Sequence, residues 1–248
     1  MRNGVRAGRG LLIVFALLAF AQGCASSRLT SRSDVIRQIL PSTVQLRCER
    51  DGGGRRAGSG VVLARDNATR RTWIVTTRHF LEPMTRQTVS VGFAGGKTAV
   101  AAKVVSVSSQ SDLALLEVDG IQWTPVRLKD TVALGDEVWV VAYPWGRRLT
   151  LSNGVVSQVR EDTDALYRGP ARMIDVSVSY GASGGGVFDV PTGALIGLVE
   201  SYRTARMSTK DNPDRIIEIP VPGETTLISA DAIRRFVVEA GLEAFLEE

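Results

Sequence analysis

The amino-acid sequence predicts an all-β fold: two six-stranded antiparallel β-barrels, with a short N-terminal helix before them and a C-terminal helix to close. Three observations carry that expectation. Short runs rich in β-branched and aromatic residues recur between Gly, Asn, Asp or Arg clusters, with turns about every 8–12 residues. The runs fall into two sets of about six, parted near Lys129-Asp130, as two barrels or sandwiches require. No βαβ alternation interrupts them. The 248 residues, 44% hydrophobic and 23% charged, suffice for such a core and exclude a disordered chain.

The chain opens with Arg2, Arg6 and Arg9 and no acid, followed by an unbroken apolar run from Leu11 to Ala21. At about 1.5 Å per residue that run reaches roughly half of a ~30 Å hydrocarbon core, too short to span it. Basic start, short apolar middle and small-residue exit describe a secretory signal over residues 1–23. Two exits are open. Ala19-Phe20-Ala21 reads as a cleavage site before Gln22. Ala21-Gln22-Gly23-Cys24 resembles the lipobox of bacterial lipoproteins, which implies lipidation of Cys24 and a membrane anchor. Residues 24–33 are small and polar, as a tether would be.

Ser33-Asp34 caps VIRQIL, a helical turn or two stopped by Pro41. The first barrel is expected over residues 40–120, from TVQLRCE, SGVVLA, TWIVT, TVSVGF, AVAAKVVSV and LALLEV. The second, over 125–230, is expected from EVWVVAY, NGVVSQV, MIDVSV, GGVFDV and ALIGLVE, with IIEIPV and TLIS after them. From Ser229 the spacing of Ile233, Phe236, Val237 and Leu242 predicts a helix over 230–245. Cys48 falls on a strand as a small buried hydrophobe, or pairs with Cys24 if that residue stays free.

Chemistry concentrates in three places. In Gly181-Ala182-Ser183-Gly184-Gly185-Gly186, four glycines surround one serine, so the backbone turns sharply and something approaches it closely. His79, the sole histidine, stands where a β run ends in IVTTRHF. Asp112 stands directly ahead of the apolar strand LALLEV. Serine attack on a carbonyl needs a base for the hydroxyl proton and an acid to hold that base's tautomer, and the order His, Asp, Ser supplies all three.

From about Leu40 to Leu242 the chain resembles the trypsin-like serine proteases of the bacterial HtrA/Deg type. Ala57-Gly58-Ser59-Gly60-Val61-Val62, IVTTRHF, SDLALLEV, Leu134-Gly135-Asp136-Glu137-Val138, Ala142-Tyr143-Pro144-Trp145-Gly146 and the stretch from Ile174 through Asp175 to Ser183 are similar to that family's motifs. The resemblance implies a serine endopeptidase: Ser183 as nucleophile, His79 as base then acid, Asp112 as its orienting carboxylate, and the N–H groups of Gly181 and Ser183 as oxyanion hole. It puts Ser177 at the base of the substrate pocket, with Glu200 on a wall strand. It also departs from the family: Ala182 stands where Asn or Asp is usual, Gly186 where proline is usual, and no PDZ domain is expected after the closing helix. A protease fold that binds without cutting is the alternative reading.

The implied partners are polypeptide substrates and, through Cys24, a membrane of the bacterial envelope. No cofactor is expected, and two cysteines with one histidine cannot by themselves fill a four-ligand zinc site, which leaves only carboxylate sites open. Nucleic acid is not an expected partner either. The pI near 9.4 comes from 30 bases against 26 acids, but removing Arg2, Arg6 and Arg9 with the signal leaves 27 against 26.

Overall fold

A computed structural model describes residues 31–92, 99–160, 167–209 and 212–246. The expected signal, Cys24 and most of the tether lie outside the described residues. Arg32–Glu248 forms one compact unit.

Helix α1 (Arg32–Ile39) runs into a 3-10 turn, Leu40–Ser42, with Pro41 in its first turn, where the missing N–H is not needed. Its apolar side, Val35 and Ile39, is buried. Six strands then close the first barrel: β1 (Thr43–Arg50), β2 (Arg55–Asp66), β3 (Arg71–Thr77), β4 (Gln87–Gly92), β5 (Val100–Val107) and β6 (Leu113–Asp119), ordered β1-β2-β3-β6-β5-β4. Alternation decides what points inward: along β1, Val44, Leu46 and Cys48 are buried. Cys48 is free, its thiol donating to Gln87 Oε1 at 2.8 Å. Burial pushes that thiol up against the pull of Arg50 and Arg56, which leaves it little reactive thiolate.

A small ladder of β7 (Val132–Ala133) with β10 (Arg168–Gly169) stands apart. The second barrel is closed by β8 (Glu137–Ala142), β9 (Thr150–Val159), β11 (Ala171–Ile174), β12 (Gly186–Asp189), β13 (Leu195–Thr209) and β14 (Asn212–Ser229), ordered β11-β14-β13-β12-β8-β9. Helix α2 (Ala230–Glu239) follows. The all-β class, both barrels and both helices are as the sequence predicts.

Three elements differ from expectation. MIDVSV is strand only to Ile174, because side chains take over the ladder: Asp175 Oδ1 accepts from Val155 N–H at 2.7 Å, and Thr225 Oγ1 donates to the Val176 carbonyl. The C-terminal helix stops at Glu239, where Gly241 turns left-handed (φ +73°) and Leu242 N–H returns to the Val237 carbonyl. Beyond ALIGLVE, β13 continues through the polar run Ser201–Thr209, pairing with β14 in a ribbon that outreaches the barrel.

Apolar side chains gather in three places. Leu46, Val62, Ile74 and Leu116 fill the first barrel, and Val138, Ile174, Val187 and Val199 fill the second. The third cluster is shared: Leu63, Val75 and Leu115 from the first barrel meet Phe188, Leu195 and Leu198 from the second, with Ile39 of α1 and Ile233 and Phe236 of α2. This shared core fixes one barrel against the other, and the crevice at their junction holds the candidate site.

Candidate active site

His79 sits on the 3-10 turn Arg78–Leu81 that follows β3. The next two side chains, Phe80 and Leu81, sink into the first barrel and anchor the turn. Asp112 precedes β6, the neighbour of β3, so sheet pairing brings the two residues together. Arg78 N–H donates to the Asp112 carbonyl at 3.0 Å. The Asp112 carboxylate then takes both ends of His79: Oδ1 accepts the backbone N–H at 2.8 Å, and Oδ2 lies 2.5 Å from the ring Nδ1. A proton on Nδ1 satisfies that carboxylate and leaves Nε2 with a free lone pair.

The loop carrying Ser183 comes from the second barrel, between β11 and β12. Its geometry follows from the bonds it makes. Tyr180 C=O accepts from Trp145 N–H at 2.7 Å, so in a trans peptide the Gly181 N–H points the opposite way. Ala182 C=O accepts from Gly185 N–H at 2.8 Å, which turns the Ser183 N–H outward likewise. Neither the Gly181 nor the Ser183 N–H has an acceptor among the described residues. Two backbone donors therefore flank the serine, free for a ligand. Gly181 has φ +87°, and a Cβ there would stand 2.7 Å from Trp145 N.

The first barrel holds this loop in place. Ser59 of β2, fully buried, donates its hydroxyl to Gly181 C=O at 2.8 Å and accepts from Tyr143 N–H at 2.8 Å. Its own N–H donates to Ser183 C=O at 3.0 Å. The sequence places Ser59 in a motif but shows nothing of this role, which arises only when the two barrels meet. Gly186 is equally constrained: it pairs with Leu198 and Val141, and a Cβ would meet the Phe188 ring at 2.4 Å.

His79, Gly181 and Ser183 share a cleft of about 410 Å³ with Arg56, Tyr180 and Tyr202. The Ser183 hydroxyl donates to the Glu200 carbonyl at 3.3 Å rather than to the imidazole. Glu200 sits at a register shift of β13, so it borders both this cleft and a second cavity behind Asp112 that Arg78 and Arg172 also line. Ser177 is not among the residues that line this cleft; it lines a cavity with Ala182, Ala142 and Thr150. Among the described residues no His, Cys, Asp and Glu group of three or more is arranged to hold a metal ion.

Two closed barrels with histidine and serine facing one crevice define a class, and comparison with known proteins agrees. A family profile described as trypsin-like peptidase domain matches residues 58–198, more than half of the chain, and the chain belongs to that family. A curated relative from Brucella suis named "Probable periplasmic serine endoprotease DegP-like" is 32% identical over 57% of this chain and 26% of its own. The "Magnetosome formation protease MamE" of Paramagnetospirillum magneticum is 27% identical over 57% of this chain and 19% of its own. The chain thus spans about a quarter of the length of such relatives. Among solved structures, the serine endoprotease from Yersinia pestis superposes with a TM-score of 0.63 at 21% identity, covering 87% of this chain and 67% of that one. A Mycobacterium tuberculosis protease in its active form gives 0.61 at 20% identity, covering 84% of each. At such identities these neighbours speak for the fold.

Proposed function

We propose that this protein is a serine endopeptidase that hydrolyses peptide bonds of envelope proteins through an acyl-enzyme. The observation that carries the reading is the pair of N–H groups at Gly181 and Ser183, without an acceptor among the described residues, in two residues that line one cleft with His79. Ser183 Oγ attacks the scissile carbonyl carbon while its proton passes to His79 Nε2. The carbonyl π electrons move to oxygen, which the two N–H groups receive; one such donor is worth about 10²–10³ in kcat. His79 then gives the proton to the leaving amine, and the C–N bond breaks. Water, giving a proton to the same ring, attacks the ester; the ring returns that proton to Ser183 Oγ as the C–O bond breaks, and the acid product leaves as its carboxylate. Asp112 keeps the ring in the tautomer whose Nε2 is basic. Before attack the Ser183 hydroxyl must turn from the Glu200 carbonyl to the imidazole, a rotamer change that substrate binding would drive.

That same Ser183–Glu200 bond favours the second reading, a protease fold that binds without cutting. A fluorophosphonate probe separates the two. Labelling that disappears in Ser183→Ala and falls sharply in His79→Ala is expected; absence of Ser183-dependent labelling from about pH 6 to pH 9 would overturn the protease reading.

The proposed location is the bacterial envelope, facing the periplasm, with Cys24 lipidated and standing as the first residue of the mature chain. The signal-like start supports export, and DegP-like relatives are named periplasmic. No helix among the described residues is long and apolar enough to cross a membrane. Intact mass of the mature protein tests the anchor: acyl chains on an N-terminal Cys24 are expected, and a free Gln22 terminus would refute it.

A further inference from the structure

The hairpin of β1 and β2 carries more positive charge than its own acids neutralise. Arg47, Glu49, Arg55 and Arg56 line a cavity of about 360 Å³. Glu49 is engaged by Arg55, 3.3 Å away, and both side chains are exposed. The exposed Arg47 guanidinium has no hydrogen-bond or ion-pair partner among the described residues. Arg56 donates one bond, from Nη1 to the His79 carbonyl, and its other N–H groups meet no acceptor among those residues. Gly146 also lines the cavity, held by Gln45 of β1, whose Nε2 donates to the Gly146 and Arg147 carbonyls at 2.8 and 3.2 Å. Arg147 and Arg148 follow it, both exposed, their guanidinium groups unpartnered among the described residues.

The cavity adjoins the serine cleft, since Arg56, Ala57 and Tyr180 line both. None of the β13 residues that line the cleft lines the cavity, so the two mark different ends of it. An extended polypeptide advances about 3.3 Å per residue, so a chain lying in the cleft reaches the cavity within a few residues of the scissile bond.

Resting on the protease reading, we propose that this cavity is a subsite for an acidic side chain of the polypeptide being cut. A carboxylate between Arg47 and Arg56 meets charge-assisted donors from two sides. The bond to His79 already holds the Arg56 fork in place, so little freedom is lost when a second bond forms. A lysine or arginine side chain in the same place is repelled. The protein would therefore select chains with Asp or Glu close to the cut, on the flank that runs away from β13.

The test moves one residue through a fluorogenic peptide: Asp, Asn or Lys at each of the four positions on either side of a fixed cleavage sequence. At one or two neighbouring positions on a single flank, kcat/KM should be about tenfold higher with Asp than with Asn, and lowest with Lys. That ratio of Asp to Asn should fall to near one in Arg47→Gln. Arg47→Glu should invert the order, so that Lys exceeds Asp. Circular dichroism and melting temperature check the fold of each variant. Raising sodium chloride from about 0.05 to about 0.5 M should shrink the ratio severalfold, because an open cavity is screened. No acid preference at any position, or one that Arg47→Gln leaves intact, would overturn the proposal. Anisotropy of the labelled Asp and Asn peptides on Ser183→Ala protein reads the subsite without turnover, and tighter binding of the Asp peptide is expected. A failed protease reading therefore shows in the fluorophosphonate labelling, and a failed subsite in equal affinity for the two peptides. Salt-sensitive retention on duplex DNA that Arg47→Gln abolishes would also overturn the proposal, by assigning the cavity to a phosphate backbone.

Discussion

Ser59 lies in one barrel and holds the serine loop of the other. Ser59→Ala would leave the Tyr143 N–H and the Gly181 C=O without their partner in a fully buried place. Each such loss costs about 1–3 kcal/mol, much of it spent on displacing the Gly181 donor. The expected result is a fall of about tenfold to a hundredfold in kcat with KM little changed, measured on a short peptide; wild-type kcat would mean that the loop holds itself. The residues proposed for chemistry are legible in the sequence because their types are rare or their surroundings odd: a lone histidine, a serine among glycines, an acid ahead of an apolar strand. Ser59 looks like any small residue in a strand, since its partners stand about 84 and 122 positions away in the chain.

At the scale of elements, buried charges hold the turns. Asp189, at the end of β12, has a side chain only 3% exposed and accepts from Lys129 Nζ at 2.7 Å and from Thr192 N–H at 3.1 Å. Lys129→Met removes the counter-charge and leaves the carboxylate buried, so urea unfolding should show about 3 kcal/mol less stability. Asp231 in the first turn of α2 behaves differently. Burial raises its carboxyl, but the Ser229 hydroxyl, Arg235 and Arg160 outweigh burial and hold it below the usual aspartate range. With the folded value depressed, its stabilisation is complete above the ordinary value near 3.9 and is lost as pH falls through the lower folded one. Asp231→Asn should therefore cost about 1 kcal/mol at pH 7, since its guanidinium partners are partly in water, and the cost should vanish in strong acid. Denaturant titrations at several pH values check this. Strands with a buried face were legible from their alternation. The outer half of β13 was not, because Ser201–Ser208 is largely polar and exposed; its partner run IIEIPV in β14 was read as a strand.

For the whole molecule, the two barrels are one folding unit because the cluster between them belongs to both. Sequence patterning finds two sets of strands; it cannot see that Leu63 and Leu195 join one apolar cluster. The C-terminal tail strengthens the union. After α2 has packed on the second barrel, Phe245 stands 5.1 Å from Trp73 of the first, and Leu246 bridges to Ala64. Thermal unfolding should then be a single transition, with tryptophan fluorescence and any Ser183 labelling lost at one temperature. Phe245→Ala removes a partly buried ring from that clasp, at a cost of about 1–2 kcal/mol and a fall in melting temperature of about 2–8 °C. The transition should stay single in the variant, because the shared core is untouched. Two resolved transitions, in either protein, would mean that each barrel is stable alone and that the junction, with the cleft in it, opens before the barrels do.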